Sequence, residues 1–320
     1  MKYKPIVVVA GEPNSIFLEI FIKIVKKNKF KSPIILICSK KILSKQQKVL
    51  KEKIKINLID REKLLLNKIK IDKLNLIDVD YDQNNAFQKI SSKSNKYIKS
   101  SFDIGLDIMK SKISNKFING PISKEKFLKN KFIGITEYLA NRTNIKNYAM
   151  IIYNKKLSVS PIITHEPLKK VSKKITKTKI IKKIKIIEKF WKNFFRKKIK
   201  IGVTGLNPHC ESTDKFNEDK KIISPAVKNL QRAKINIKGP FPADTIFTKS
   251  NRKNYNLIVG MYHDQVLTPI KTLFEYNAIN LTVGLPFIRV SPDHGPNEKM
   301  LGKKTSDTTS LLNSIRFLDF

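Results

Sequence analysis

Short apolar runs alternate along the chain with longer stretches in which apolar residues recur every three or four positions. The short runs are rich in β-branched residues and predict strands. The predicted strands are 6–10, 34–38, 148–153, 159–164, 201–204, 257–262 and 279–283. The clearest helical pattern runs from about 177 to 198, where Ile180, Ile184, Ile187, Trp191 and Phe194 form one apolar stripe opposite lysines. This alternation favours an α/β fold with a largely parallel sheet.

Other parts of the chain carry weaker signals. Residues from about 40 to 100 are rich in Lys, Asn and Asp, and we expect helices and loops there. The length of 320 residues predicts one large or two ordinary domains. No apolar stretch reaches the roughly 18–20 residues that span a bilayer. Only Cys38 and Cys210 carry thiols, which favours a reducing cytoplasm.

The formal net charge of +39 would by itself indicate nucleic acid as a partner. The positive residues are almost all lysines, however, spread along the chain among isoleucines and asparagines. Nucleic-acid sites usually use arginine forks and interleaved aromatic residues, and no such motif is present. We therefore expect no nucleic-acid partner, and salt-sensitive binding to DNA or RNA would be needed to support one.

The glycine-rich signatures of nucleotide binding are missing. Gly11-Glu12-Pro13-Asn14-Ser15 follows the first predicted strand but lacks the later glycines of a GxGxxG fingerprint. There is no P-loop either. The sequence therefore does not support an ordinary Rossmann dinucleotide site.

The chain has only four histidines, and His165, His209 and His263 each lie just past a predicted strand. Ligands collect at the carboxyl ends of strands in parallel α/β sheets, so these imidazoles can meet at one sheet edge. Three imidazoles with an open fourth position are typical of catalytic zinc. A lone histidine is more often a core or surface residue, so the spacing by itself leaves both interpretations open.

Carboxylates and two cations near these positions are further candidates. Asp244 lies in a proline-rich turn, Asp264 follows His263 and Asp293 precedes His294. Each can orient an imidazole or act as a base, or simply cap a helix or turn. Lys271 and Arg289 lie in the segment from Lys271 to Gly295, where Gly and Pro are clustered. The planar guanidinium of Arg289 suits a carboxylate or phosphate, although a structural arginine in a surface loop is the alternative.

Several longer motifs resemble those of 4-hydroxythreonine-4-phosphate dehydrogenases of vitamin B6 (pyridoxal phosphate) biosynthesis. The motifs are Phe117-Ile118-Asn119-Gly120-Pro121-Ile122-Ser123-Lys124, Thr164-His165-Glu166-Pro167-Leu168, Gly205-Leu206-Asn207-Pro208-His209, Pro242-Ala243-Asp244-Thr245, Met261-Tyr262-His263-Asp264-Gln265 and Gly284-Leu285-Pro286-Phe287-Ile288-Arg289. They follow the family's order over roughly residues 6 to 310, and the resemblance is stronger from His165 onward.

The resemblance implies two α/β domains flanking a cleft, similar to isocitrate and isopropylmalate dehydrogenases. Residues 1–135 with 280–320 would form the first domain and 136–279 the second. It also implies a homodimer with active sites at the subunit interface. The implied reaction uses NAD or NADP without a glycine fingerprint. It oxidises 4-phosphooxy-L-threonine, which then loses carbon dioxide to give 3-amino-2-oxopropyl phosphate.

The resemblance also implies roles for individual residues. His165, His209 and His263 would bind one divalent metal ion, with zinc, cobalt and magnesium all left open. Thr136, Lys271, Asn280 and Arg289 match substrate-contacting positions. Asp244 and Lys271 are candidates for proton transfer. Asp293-His294-Gly295 resembles the stretch that meets the adenosine end of NAD in related dehydrogenases.

The chain departs from the family pattern at three places. The family's Gly-His-Thr-Glu is Gly134-Ile135-Thr136-Glu137 here, and isoleucine cannot form the hydrogen bond of an imidazole. The loop after Gly-Glu-Pro lacks the family's glycines, and Cys210-Glu211-Ser212-Thr213 replaces a glycine-rich stretch. Losing one charge-assisted contact costs about 1.5–3 kcal/mol. These changes leave three alternatives: the same reaction with drifted residues, another substrate such as threonate or erythronate phosphate, or a catalytically decayed paralogue.

Overall fold

The computed structural model describes residues 3–60, 68–129 and 131–320. The chain divides into two compact units, the first formed by Met1–Leu139 with Pro286–Phe320 and the second by Ala140–Leu285. Whether these units are the two domains expected from the sequence stays a prediction. Within the described residues, no helix is both long and apolar enough to cross a membrane.

The regular elements alternate along the chain as the sequence predicts. The strands are β1 (Ile6–Val9), β2 (Ile34–Cys38), β3 (Ile56–Leu58), β4 (Leu74–Asp78), β5 (Lys116–Asn119), β6 (Ala149–Tyr153), β7 (Ser158–Ile163), β8 (Ile201–Thr204), β9 (Ile237–Phe241), β10 (Leu257–Tyr262), β11 (Ile279–Val283) and β12 (Ile288–Pro292). The α-helices are α1 (Phe17–Lys27), α2 (Lys40–Leu50), α3 (Asn95–Lys110), α4 (Ile135–Arg142), α5 (Val171–Lys174), α6 (Lys177–Phe195), α7 (Ser224–Arg232), α8 (Ala243–Ile246), α9 (Lys249–Arg252), α10 (His263–Phe274) and α11 (Thr309–Leu318). The predicted α/β class is confirmed.

The strands of the first unit pair in the order β3-β4-β2-β1-β5-β12, and every pair is parallel. β1 and β2 are buried along their whole length. Continuous Val and Ile runs of this kind are typical of parallel strands covered on both faces. The carboxyl ends of β1, β5 and β12 therefore lie at one edge of this sheet.

The loops after β1 and β5 are in direct backbone contact at that edge. The Glu12 amide donates to the Pro121 carbonyl at 2.8 Å, and the Gly120 amide donates to the Val9 carbonyl at 2.8 Å. A Cβ on Gly120 would lie 2.1 Å from the Ala10 carbonyl oxygen, so only glycine fits. The loop after β1 thus keeps a close backbone approach despite having fewer glycines than the family pattern.

The second unit has a mixed sheet in the order β11-β6-β7-β10-β8-β9. β7, β10, β8 and β9 run parallel, whereas β6 is antiparallel to both β7 and β11. Helix α6 packs with the predicted stripe, because Ile180, Ile184, Ile187 and Trp191 are its buried residues. The helix ends before Arg196, whose φ of +55° is left-handed. The predicted end at 198 was therefore a few residues too late.

The region from 40 to 100 contains strands as well as the expected helices and loops. β3 has only three residues, and β4 has a polar residue at its second position. That residue, Asn75, is fully buried and donates to the Ile34 carbonyl at 3.0 Å and the Lys70 carbonyl at 2.7 Å. A satisfied buried amide interrupts the apolar run, which explains why the pattern did not reveal β4.

Candidate active site

The three candidate histidines follow three neighbouring strands of the second unit. His165 lies two residues after β7, His263 begins α10 directly after β10, and His209 lies in the short turn Pro208–Cys210 after β8. Because β10 is parallel to both β7 and β8, the carboxyl ends of all three strands lie at the same sheet edge. Backbone topology therefore delivers the histidines to one edge, as the sequence predicts.

His165 and His263 approach each other closely. Their ring centroids are 5.8 Å apart, and the ring planes are inclined by 42°. His263 Nδ1 lies 2.6 Å from Asp264 Oδ1, which occupies one ring nitrogen and leaves Nε2 available. A carboxylate bound to the second nitrogen of a metal-binding imidazole is a common arrangement, since it fixes the tautomer and raises the basicity. This pair fits two ligands of a zinc or cobalt ion.

His209 is exposed, and its backbone φ of +54° is left-handed. Cys210 also has a positive φ, of 60°, so two consecutive non-glycine residues are in this rare region. Among the residues that the structure describes, no three His, Cys, Asp or Glu side chains are grouped closely enough to hold a metal ion. The structure thus brings together two of the three candidate ligands, and the complete three-histidine site stays a prediction.

Asp244 and Lys271 are the proton-transfer candidates in this unit. Asp244 is exposed in the first turn of α8. Burial raises the pKa of the Cys210 thiol, and the carboxylates of Asp219 and Asp244 raise it further. Asp244 therefore lies in the electrostatic neighbourhood of the His209 turn. Burial lowers the pKa of Lys271, whose ammonium group lies 5.5 Å from the centre of the Tyr276 ring.

Asn280 lies in β11 with its side chain half-buried. Its Nδ2 contacts Met150 Sδ at 3.6 Å, and its Oδ1 is buried without a hydrogen-bond partner among the described residues. A buried amide oxygen without a partner is costly, so it is suited to accept a hydrogen bond from a ligand. The predicted substrate role of Asn280 remains compatible with this geometry.

Arg289 and Thr136 are brought together in the first unit. Arg289 is fully buried in β12. Its Nε donates to Asn119 Oδ1 at 2.8 Å and its Nη1 to Thr136 Oγ1 at 3.0 Å. Burial lowers the pKa of Arg289 to about 10, and the Glu137 carboxylate opposes that shift. The guanidinium is therefore still charged at neutral pH and is held in a fixed orientation.

Sequence reasoning did not single out Asn119 and Glu137, which surround Arg289. Asn119 ends β5 and Glu137 lies in the first turn of α4. Both residues stand inside segments quoted for the family resemblance, so the signal was present. The hydrogen bond between Asn119 and Arg289 joins residues 170 positions apart in the sequence. No local sequence pattern encodes a contact over that distance.

The predicted cofactor stretch borders a small cavity in the first unit. The cavity has a volume of about 160 Å³ and is lined by Asn119, Gly120, Pro121, Ile122, Lys124, Ile135, Ser291, Pro292, His294 and Gly295. Burial disfavours the charged form of the His294 ring and therefore lowers its pKa. His294 Nε2 is buried without a hydrogen-bond partner among the described residues. Asp293 is fixed through its backbone amide, which donates to Ser310 Oγ at 2.8 Å.

Comparisons with known proteins agree with these motifs. The model of the family "Pyridoxal phosphate biosynthetic protein PdxA" matches residues 29–318. The 4-hydroxythreonine-4-phosphate dehydrogenase of Sulfurihydrogenibium sp. (strain YO3AOP1) is 36% identical over 310 residues, which cover 95% of this chain and 94% of that protein. The D-threonate 4-phosphate dehydrogenase of Pectobacterium atrosepticum is 38% identical over 163 residues, covering 51% and 50% of the two chains.

The chain is also similar in structure to solved structures of 4-hydroxythreonine-4-phosphate dehydrogenases. The crystal structure of 4-hydroxythreonine-4-phosphate dehydrogenase from Klebsiella pneumoniae aligns with a TM-score of 0.85 at 27% identity and covers 98% of both chains. The family match over most of the chain, the near full-length relative and this structural agreement lead to one conclusion. The chain belongs to the pyridoxal phosphate biosynthetic protein PdxA family.

Proposed function

We propose that this chain catalyses the oxidation and decarboxylation of 4-phosphooxy-L-threonine to 3-amino-2-oxopropyl phosphate, using NAD or NADP and one divalent metal ion. The observation that carries the proposal is the His165–His263 pair at neighbouring strand ends, with the His263 ring held by Asp264. It occurs in a chain that is 36% identical, over nearly its full length, to a dehydrogenase named for that substrate.

The proposed reaction has two steps, an oxidation followed by a decarboxylation. In the first, C3 of the substrate loses a hydride and its hydroxyl loses a proton, which gives a ketone. In the second, the bond between C1 and C2 breaks, carbon dioxide leaves, and the electron pair stays on C2 until C2 is protonated. A nicotinamide would accept the hydride, and a divalent ion would acidify the hydroxyl and stabilise the enolate.

The chain's own residues supply binding and proton transfer in this proposal. His165, His209 and His263 would hold the ion, since imidazole suits zinc and cobalt, while magnesium stays open. Lys271 would accept the hydroxyl proton, because burial lowers its pKa and so makes its neutral form easier to reach. Asp244 is the second proton-transfer candidate.

Substrate and cofactor contacts are assigned to the remaining predicted residues. Thr136 and Arg289 would bind and orient the substrate's anionic groups, and Asn280 would donate or accept one hydrogen bond. Asp293, His294 and Gly295 would meet the adenosine end of NAD or NADP. The buried charge of Arg289 and the small cavity beside His294 support these roles. We also propose a homodimer and a cytoplasmic location, the latter because the two cysteines are unpaired.

The direct test is NAD reduction with 4-phosphooxy-threonine, followed at 340 nm (the NADH absorbance band). The proposal predicts turnover by the unmodified chain and loss of both turnover and bound metal in His209→Ala. Full turnover in His209→Ala would contradict the assignment of that residue.

A specific observation favours a second candidate substrate, a 4-phosphorylated sugar acid such as threonate or erythronate phosphate. Ile135 lines the small cavity at the position of the family's imidazole and offers no hydrogen bond there. Relatives named D-threonate 4-phosphate dehydrogenase are 36–38% identical over about half of the chain. Parallel assays of the two substrates decide between them, and no turnover of either would support the decayed paralogue.

A further inference from the structure

Gln265 connects the ends of two strands that carry candidate histidines. It lies in the first turn of α10, two residues after His263. Its Oε1 accepts from the Met261 amide at 2.7 Å and from the Thr204 hydroxyl at 2.8 Å. Its Nε2 donates to the Gly205 carbonyl at 2.8 Å. The backbone amide can only donate and the carbonyl can only accept, so these partners fix the orientation of the side-chain amide.

Asp219 holds the same loop from its other side. It is 2% exposed, and its Oδ1 accepts from the Leu206 amide at 2.7 Å. Its Oδ2 accepts from the Asn207 amide at 3.1 Å and from Asn207 Nδ2 at 2.9 Å. Charge-assisted bonds of this kind are stronger than neutral ones. Two consecutive residues leading to His209 are thus held by one buried carboxylate.

Gly205 has no room for a side chain. A Cβ at this position would lie 2.6 Å from Asp219 Oδ1 and 2.7 Å from Cys210 Sγ. The Asp219 carboxylate and the Cys210 thiol therefore both pack closely against Gly205. Because the Cys210 thiol packs against Gly205 and Cys210 directly follows His209, the reactivity of this thiol is a suitable probe of the loop.

We propose that Gln265 is a positioning residue, which fixes the loop of residues 205–209 and with it His209 relative to His263. The importance of that spacing rests on the proposed function, whereas the anchoring of the loop does not. Gln265 spans from the helix turn that begins with His263 to the strand end that leads to His209. It acts through these two histidines and is not itself a ligand.

The first test measures the loop in protein free of metal and substrate. Gln265→Met removes three hydrogen bonds without changing the charge near Cys210. Gln231→Met is the matched control, because Gln231 donates a similar bond from Nε2 to the Ile237 carbonyl at 2.9 Å within the same unit. We expect Cys210 in Gln265→Met to react with an aromatic disulfide reagent about tenfold faster than in the control. Cys38 is fully buried and contributes a slow background.

A milder variant covers the case in which Gln265→Met fails to fold. Thr204→Val removes one of the three hydrogen bonds and should give an increase in Cys210 reactivity between those of the control and Gln265→Met. Equal Cys210 reactivity in the unmodified chain, Thr204→Val and every folded Gln265 variant would overturn the anchoring of the loop.

The second test measures binding of Co²⁺ alone by titration calorimetry. Loss of groups that orient metal ligands typically weakens metal binding about 10–100-fold. We expect a loss in that range for Gln265→Met, and none for Gln231→Met. A mobile loop with undiminished Co²⁺ affinity would overturn the positioning of His209. An unmodified chain that binds no Co²⁺ would instead contradict the proposed function, while the thiol measurement still decides whether Gln265 anchors the loop.

Discussion

A fully buried arginine and a half-buried lysine respond differently to their surroundings. Arg289 is fully buried, and hydrogen bonds to Asn119 and Thr136 together with the nearby Glu137 carboxylate support its charge. Lys271 is half-buried, and this burial lowers its pKa. This difference suits Arg289 to bind an anion with a fixed guanidinium and Lys271 to accept a proton.

The pH dependence of turnover should follow Lys271. Its pKa lies below the usual 10.5, so the neutral form that accepts a proton becomes available at lower pH, and kcat should rise with pH through that lowered pKa. Lys271→Arg keeps the charge but cannot titrate in this range. We expect kcat to fall about 10²–10⁴-fold in this variant, with loss of the Lys271 limb of the pH profile. An unchanged profile in Lys271→Arg would exclude Lys271 as the base.

At the level of single residues, the sequence suggested candidate residues but not most of the contacts between them. Histidines after strand ends could be recognised because strand ends are encoded locally by apolar runs. The bond between His263 and Asp264 joins adjacent residues and was among the predicted possibilities. The pairing of Arg289 with Thr136 joins residues 153 positions apart, so it depends on the finished fold.

At the level of elements, the loops after β1 and β5 form a close backbone contact at the edge of the first sheet. Gly120 is the residue that permits it, because the Ala10 carbonyl occupies the place of a side chain. Gly295 borders the same cavity, but a Cβ there would meet nothing within 4 Å. A side chain at position 120 would therefore clash with backbone, whereas one at position 295 would not. The two positions can serve as test and control.

Gly120→Ala should destabilise the chain by about 1–3 kcal/mol or more, since the added methyl group must displace backbone. Gly295→Ala should stay within about 0.5 kcal/mol of the unmodified chain. Urea unfolding of both variants measures the difference. If the two alanine variants unfold at the same urea concentration, the close approach of the two loops is not present in solution.

Among the described strands, three of the five that the sequence did not reveal share a physical cause. β5 begins with Lys116 and β12 contains Arg289, and both cations are buried within their strands. β4 has the buried Asn75 at its second position. Each polar side chain finds partners only in the folded chain, yet each interrupts the apolar pattern that marks a strand. Strands built from uninterrupted apolar runs, such as β1 and β2, were predicted within one residue.

At the level of the whole molecule, the net charge of +39 and the family membership indicate different partners. The lysines follow the chain's general composition, whereas the motifs at the strand ends carry specific chemistry. The family membership supports a small phosphorylated substrate, and the absence of a nucleic-acid partner stays a prediction. Under the proposed function, the preference between phosphorylated acids would depend on Ile135, which lines the small cavity.

Ile135→His restores the side chain that the family pattern has at this place. If the chain acts on 4-phosphooxy-threonine, the added hydrogen bond should raise kcat/KM for that substrate about 10–100-fold, which corresponds to roughly 1.5–3 kcal/mol. Ile135→Leu is the control, because it keeps the volume and offers no hydrogen bond. Equal kcat/KM values for the two variants would show that position 135 does not contact this substrate.

The dependence of turnover on a metal ion tests the central claim most directly. Protein treated with a chelator and then dialysed should not reduce NAD in the presence of 4-phosphooxy-threonine. Added Zn²⁺, Co²⁺ or Mg²⁺ should restore turnover in the unmodified chain but not in His263→Ala. Full turnover by the metal-free protein would contradict the account, as would equal restoration of His263→Ala.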